Sequence, residues 1–195
     1  MAEIDIRGWC PGALRPMRSG DGWVVRVRPR LARLSSAQAL GLCAAAQAHG
    51  AGLIDLTNRA NLQIRGVGDD ALAPLQDALA ALELLDTDPE LEARRNILIA
   101  PDWVEEGDNT RLWRELAARL AELPPLPPKT GFAIDAGPAP VLTKDPADFR
   151  IERGENGLIL RGNGRARGMA LTAGQEIDSL IRLCRWFVES GGAAA

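Results

Sequence analysis

Two periodicities of apolar residues alternate along the first half of the chain. A repeat of two residues is typical of a half-buried strand, and a repeat of three to four is typical of an amphipathic helix. Ser35 lies where an N-cap would begin the first helix, and Gly50 lies where that helix would end. Asp69 or Asp70 is placed to cap the second helix. The predicted elements are strands at 21–30, 53–56, 61–67 and 96–100 and helices at 35–49 and 69–82.

The order of these elements is strand, helix, strand, strand, helix, strand. This is the ferredoxin-like βαββαβ plan, in which both helices pack on one face of a four-stranded antiparallel sheet. The first and third strands are neighbours at the centre of such a sheet. The sequence therefore predicts an α+β fold that begins with a ferredoxin-like half-domain.

The second half of the chain has shorter elements and a less regular pattern. A helix is predicted at 110–122, a proline-rich connector at 123–128 and a closing helix at 174–189. Short strands are predicted near 131–135, 149–153, 158–161 and 169–171, with a hairpin turn at Asn163 and Gly164. We therefore divide the chain into a ferredoxin-like half-domain (1–101), a helix with the connector (102–128) and a smaller α/β segment (129–190).

Polar side chains of the two central strands should share the sheet face that the helices leave uncovered. Neighbouring residues of a strand point to opposite faces, so parity assigns each side chain. The residues assigned to this face are Arg26, Arg28, Arg59, Asn61, Gln63 and Arg65. Like charges across adjacent strands repel each other, and a polycarboxylate or phosphate ligand would replace that repulsion with charge-assisted hydrogen bonds. Solvated arginines, or arginines paired with acids from another segment, fit the same pattern.

The composition argues against some classes of function but does not identify one. A 46% hydrophobic and 25% charged chain of 195 residues is ordinary for a soluble globular protein. The net charge of −3 and the pI near 5.3 argue against nonspecific binding to nucleic acid or membranes. No apolar run reaches a membrane span, and the start has no secretory signal, so we expect a cytoplasmic protein.

The cysteines and tryptophans have mainly structural interpretations. Cys10, Cys43 and Cys184 are too scattered for a disulfide framework, and each is expected to be a buried apolar residue. Cys10 could instead be a reactive or metal-contacting thiol. Trp186 lies in an amphipathic pattern, where it would anchor packing or contribute to an interface with another polypeptide.

Four stretches of the chain and one motif carry a family resemblance. The stretches are GWCPGALRPMRSGDGWVVRVRPR, GLIDLTNRANLQIRGV, ARRNILIAP and LPPLPPKTGFAID, and the motif is T-x-R-x-x-x-Q from Thr57 to Gln63. They resemble the precorrin-3B synthase and nitrite/sulfite reductase family, in the amino-terminal ferredoxin-like half. In that family, basic residues of this half hold the carboxylates of a tetrapyrrole. Matched residue by residue, those basic residues are Arg59, Arg95 and Lys129.

The resemblance implies one half of a precorrin-3B-synthase-like oxidoreductase of cobalamin biosynthesis. The family reaction is an oxygen-dependent hydroxylation of a precorrin ring, and the ligand expected here is an anionic tetrapyrrole, either a precorrin or sirohaem. The predicted clamp is Arg59, Arg65, Arg95 and Lys129, with Arg26, Arg28, Gln63 and Asn61 around it. Catalytic residues are not identified, and no metal site is expected.

The chain departs from the family pattern in its length and its cysteines. Full-length members have two half-domains and closely spaced cysteine pairs for an iron–sulfur cluster, whereas this chain has one half-domain and distant cysteines. We therefore expect no redox cofactor in this chain alone, and a cluster only if a second-half protein supplies it. A homodimer could imitate the two halves.

Three other interpretations remain open from the sequence. The chain could be a non-catalytic tetrapyrrole-binding protein, or a degenerate reductase fragment. An RNA-recognition domain has the same strand–helix order, but such domains read bases with aromatic residues on their central strands. Here those positions hold arginine, asparagine and glutamine, so we expect no nucleic-acid partner.

Overall fold

A computed structural model describes residues 11–192, which form two β-sheets and five α-helices. Cys10 lies outside the described residues. The first sheet is antiparallel, and its strands follow the order β1-β2-β4-β3. These strands are β1 (Met17–Ser19), β2 (Gly22–Val27), β3 (Ile54–Leu56) and β4 (Leu62–Val67).

The two strands predicted as central neighbours, β2 and β4, pair directly. Val25 lies opposite Ile64, and Arg26 lies opposite Gln63. Helices α1 (Ser36–His49) and α2 (Leu72–Ala81) belong to the same unit and share its core. That core is formed by fully or nearly buried side chains, including Val25, Val27, Leu42, Ile64, Leu75 and Leu79. From β2 to α2, the order strand, helix, strand, strand, helix is therefore the predicted one.

Two details of this unit differ from the prediction. The strand expected at 96–100 as the fourth strand of the first sheet is instead β5 (Ile97–Ile99), the first strand of the second sheet. The edge beside β2 is taken by β1, which joins β2 through the tight turn at Gly20 and Asp21. A local hairpin closes a much shorter loop than a strand that returns from residue 97, so it is the less costly partner in chain entropy.

The expected aspartate cap of α2 is also absent. The N-cap of this helix is Ala71, which makes no side-chain capping bond. The Asp69 carboxylate instead accepts hydrogen bonds from the Arg18 guanidinium and from Nε1 of Trp23. By contrast, Ser35 forms a full capping box with Gln38 at the start of α1, as predicted.

The second sheet has the order β5-β6-β7-β8-β9, with β5, β6 and β7 parallel and the last two strands antiparallel. Its core includes apolar residues of the two helices that follow β5 and β9. The remaining elements are α3 (Pro89–Arg94), α4 (Asp108–Ala118), β6 (Phe132–Asp135), β7 (Phe149–Gly154), β8 (Gly157–Gly162), β9 (Met169–Ala170) and α5 (Glu176–Glu189). Helix α3 was not among the predicted elements.

Leu31 connects the two units. Its side chain packs against the core of the second sheet, and its carbonyl oxygen accepts a hydrogen bond of 2.9 Å from Nε1 of Trp103.

The predicted class, α+β with a ferredoxin-like half-domain followed by a smaller α/β segment, is confirmed. The division at residues 101 and 128 stays a prediction. Within residues 11–192, no helix combines the length and the apolar character needed to cross a membrane.

Candidate functional site

The open face of the first sheet carries fewer uncompensated charges than its sequence suggested. With the Gln63 amide oxygen turned toward Arg26, it accepts hydrogen bonds of 2.7 and 3.1 Å from that guanidinium. Arg65 donates to the Asp21 carboxylate at 3.1 and 3.3 Å and lies 3.7 Å from Asp55. The hydrogen bond from Arg65 is the largest influence on Asp21, whose pKa is lowered from its ordinary value of 3.8. Acids of neighbouring segments therefore compensate Arg65.

Arg28 does not lie on an uncovered surface, contrary to the prediction. Its side chain is 1% exposed, and Nη1 donates to Oε1 of Glu92 at 3.1 Å. The same carboxylate accepts hydrogen bonds from the backbone N–H groups of Ala13 and Leu14. A buried charge persists when it is paired in this way. Arg28 therefore joins the end of the first sheet to helix α3.

Arg95 is another predicted binding residue, and in the structure it is paired with an acid. Its Nη2 donates to the Asp86 carboxylate at 2.6 Å and to the carbonyl oxygen of Arg28 at 3.0 Å. Its side chain is only 10% exposed. Arg95 thus lies beside Arg28 at the junction of the two units, where both arginines hold chain segments together.

Arg59 and Lys129 meet at the other side of this junction. Arg59 lies in the turn between β3 and β4, and its Nη1 donates to the carbonyl oxygen of Lys129 at 3.0 Å. Neither side chain has a carboxylate partner among residues 11–192. The turn depends on Thr57, whose Oγ1 accepts from the N–H groups of Arg59 and Asn61, and on Ala60 at a φ of 53°. The structure therefore brings together two of the three basic residues that the resemblance assigned.

Two buried amide atoms near this junction have no hydrogen-bond partner in the described part of the chain. They are Nδ2 of Asn61 and Oδ1 of Asn96. Asn61 belongs to the predicted face, but it is 7% exposed. Asn96 donates through Nδ2 to the carbonyl oxygen of Thr130, next to Lys129. A buried polar group without a partner costs about 1–3 kcal/mol, so such groups often mark a place that a ligand or water satisfies.

Arg59 and Lys129 line a groove of about 720 Å³ between the two units. Phe149 and two residues of α5, Trp186 and Phe187, supply aromatic walls. The rings of Phe149 and Phe187 pack edge to face at 5.6 Å, and Trp186 is 62% exposed. This volume is within the range of small-molecule sites in proteins. The groove therefore offers flat apolar surfaces beside two cations.

The charges that line the groove are mostly positive. Arg165, in the loop between β8 and β9, is a third cation, and Asp148 is the acid. One oxygen of Asp148 already accepts a hydrogen bond of 2.7 Å from the N–H of Gly131. A groove of this composition suits a planar ligand with several carboxylates.

Sequence reasoning missed Arg165 and the role of α5 in the groove. Arg165 lies in a loop, where strand parity says nothing, and the stretch was interpreted only as a turn. Trp186 was assigned to packing or to an interface. Only the structure shows that its side chain is exposed and can therefore contact a ligand. Helical periodicity could not have shown which other segment lies opposite its ring.

The described residues offer no donor set for a metal cluster. Within residues 11–192, no group of three or more His, Cys, Asp or Glu side chains is placed to hold a metal ion. Cys43 is exposed on α1, contrary to the prediction that it is core, while Cys184 is fully buried in α5 as predicted. These residues do not fit an iron–sulfur cluster.

Comparison with known proteins agrees with the resemblance seen in the sequence. Residues 15–82 match the family model of the nitrite/sulfite reductase ferredoxin-like half domain. The chain is also 34% identical over 149 residues to a precorrin-3B synthase from a Sinorhizobium species. That match covers 75% of this chain and 32% of the relative, so the chain spans about a third of the relative's length. The resemblance to the amino-terminal half of this family is therefore confirmed.

Proposed function

We propose that this chain, through the half-domain it shares with nitrite and sulfite reductases, binds an anionic tetrapyrrole as part of a precorrin-3B-synthase-like oxidoreductase of cobalamin biosynthesis. The observation that carries the proposal is the pair Arg59 and Lys129, which lack carboxylate partners among residues 11–192 and line a groove with aromatic walls. The ligand would lie in this groove rather than on the open sheet face.

The chemistry of a precorrin or sirohaem suits such a groove. The macrocycle is flat and largely apolar, so it can pack against Phe187 and the exposed ring of Trp186. Its peripheral carboxylates would receive charge-assisted hydrogen bonds from Arg59 and Lys129, which are about twice as strong as neutral ones. Arg59 can bind a carboxylate through two N–H groups at once because its guanidinium is a planar fork.

The other predicted residues would support the site from a distance. Arg28 and Arg95 are held by Glu92 and Asp86, so they keep the junction in place and are not available for direct charge pairing with a ligand. Arg26 has only an amide partner in the described structure, so it adds positive potential on the neighbouring face. In this arrangement the chain binds and orients the ring.

A second polypeptide would complete the oxidoreductase. This chain covers 32% of the precorrin-3B synthase that it resembles, and the described residues provide no cluster ligands. We propose that a chain corresponding to the remaining part supplies the redox cofactor and that the tetrapyrrole lies between the two chains. Coexpression of this chain with such a polypeptide should yield a complex that turns over a precorrin, whereas a complex without turnover would favour a non-catalytic binding role.

A titration with uroporphyrin, a stable polycarboxylate tetrapyrrole, tests the binding proposal. We expect saturable binding by absorption and fluorescence, and we expect Arg59→Gln to weaken it by about 10- to 150-fold. This range corresponds to losing a hydrogen bond between charged groups, about 1.5–3 kcal/mol. Arg65→Gln is the matched control, because Arg65 lies on the open sheet face and is held by Asp21. If Arg65→Gln weakens binding and Arg59→Gln does not, the ligand occupies the sheet face and the groove is the wrong site.

A further inference from the structure

Arg165 is the third cation of the groove, and nothing in the family resemblance assigns it a role. It lies in the loop between β8 and β9 and is exposed. Among residues 11–192 its guanidinium makes no hydrogen bond or ion pair. Arg28 and Arg95, by contrast, are each compensated by an acid. An uncompensated guanidinium beside an aromatic groove is available to bind an anion.

The loop that carries Arg165 is held in a defined shape. The N–H of Arg165 donates to the carbonyl oxygen of Gly162 at 3.2 Å. Gly164 has a φ of 72°, a conformation that glycine adopts without strain. At Gly168 a Cβ would lie 2.8 Å from the carbonyl oxygen of Leu160, so the loop returns in close contact with β8. These local contacts therefore fix the backbone position of Arg165.

Arg161 connects this loop to the interior of the second unit. Its Nη1 donates to the carbonyl oxygen of Arg165 at 2.9 Å. The other side of its guanidinium binds the Glu152 carboxylate, with Nε at 2.5 Å and Nη2 at 2.9 Å. Glu152 in turn binds Arg150, which is fully buried. A buried ion-pair network thus anchors the backbone oxygen of the residue whose side chain lines the groove.

We propose that Arg165 binds a carboxylate of the tetrapyrrole and that Arg161 is the positioning residue that holds Arg165 in place. This inference rests on the proposed function, because both concern the same groove. It adds a binding residue from the second sheet to Arg59 and Lys129, which the resemblance had already assigned. The ligand would then be held by cations from both units of the chain.

Uroporphyrin binding to Arg165→Gln tests the first part. We expect affinity to fall by about 10- to 150-fold, the loss expected for a hydrogen bond between charged groups. The salt dependence of binding should also become weaker, because one ion pair is lost and surface ion pairs are screened by salt. Arg167→Gln is the matched control, since Arg167 is exposed in the same loop but does not line the groove. Equal affinities for these two variants would overturn the role of Arg165.

A double-mutant cycle tests the positioning role of Arg161. In Arg161→Met, the Glu152 carboxylate keeps its hydrogen bond from Arg150, so the buried pair remains. We expect Arg161→Met to weaken uroporphyrin binding, and we expect no further loss when Arg165→Gln is added to it, because both changes remove the same contact. Arg161→Lys should restore little of the uroporphyrin affinity, since lysine cannot bind Glu152 and the Arg165 carbonyl oxygen through a planar fork. Additive losses would show that Arg161 does not act through Arg165.

The series separates this inference from the proposal on which it rests. If the unmodified protein does not bind uroporphyrin, both are wrong. If it binds and only Arg59→Gln weakens binding, the groove is the site and Arg165 has no part in it. Urea unfolding curves of each variant show whether a loss of affinity reflects a loss of folded protein, and a variant counts only where its curve overlaps that of the unmodified chain.

Discussion

The substitution Glu152→Gln should strongly destabilise the second unit of this protein. Arg150 has a side chain that is 0% exposed, and its Nε donates to Oε1 of Glu152 at 2.7 Å. Its remaining acceptors are the carbonyl oxygens of Asp145 and Leu142. Among residues 11–192, Glu152 is the carboxylate that compensates this buried charge. Glutamine would keep the shape of the side chain and remove its charge.

Breaking a buried ion pair by removing one partner costs about 3–5 kcal/mol. We expect the lower part of this range, because the glutamine oxygen can still accept one hydrogen bond from Arg150. For a chain of this size each kcal/mol lowers the melting temperature by about 2–4 °C, so the expected decrease is about 6–15 °C. A single exposed ion pair contributes only about 0–1 kcal/mol, so an exposed pair provides the contrast.

The dependence of this loss of stability on pH provides a second test. Burial acts to raise the pKa of Glu152, but the hydrogen bonds from Arg161 and Arg150 outweigh it, and the pKa lies below its ordinary value of 4.5. A carboxyl group with a lowered pKa in the folded state stabilises the fold above its unfolded pKa, and this contribution is lost as the pH falls through the folded pKa. The difference in stability between the unmodified protein and Glu152→Gln should therefore shrink as the pH falls below about 4.5.

Urea unfolding monitored by tryptophan fluorescence and circular dichroism measures the effect. The matched control is Glu105→Gln, because Glu105 pairs with Arg114 where the two side chains are 68% and 51% exposed. If Glu152→Gln costs no more than Glu105→Gln at pH 7, or if its cost stays constant down to pH 3, the account of a buried compensating carboxylate is refuted.

Two further predictions concern local structure in the helices. Ser35→Ala should lower the free energy of unfolding by about 1 kcal/mol because it removes the capping box with Gln38, whereas Ser36→Ala at the next position should change it by less than about 0.5 kcal/mol. In a Cys10→Ser background, iodoacetamide should modify exposed Cys43 in the folded protein but not Cys184, since burial raises the pKa of the Cys184 thiol to about 12. Mass spectrometry of the labelled chain measures this, and rapid labelling of Cys184 under native conditions would contradict the packing of α5.

Several elements could be predicted from local pattern because their causes are local. The capping residue Ser35, the alternation in β2 and β4 and the turn at Gly164 each depend on residues within a few positions. The pairing of β2 with β4 also followed from the order of elements. Strand β5 was assigned to the wrong sheet because its apolar pattern does not show which strand it pairs with, and in the structure that strand is β6.

The candidate site also has features that the sequence determined and features that only the structure shows. The sequence alone determined which side chains of β2 and β4 share a face, because parity follows from backbone geometry, and it supplied Arg59 and Lys129 through their likeness to a known family. Only the tertiary structure decided which arginines keep an unpaired charge. Arg28 pairs with Glu92 and Arg65 pairs with Asp21 across long stretches of chain, whereas Arg59 and Arg165 form no ion pair with an acid in the part of the chain that the structure describes. Charge compensation depends on distances between segments, which folding sets and which no local pattern of residues contains.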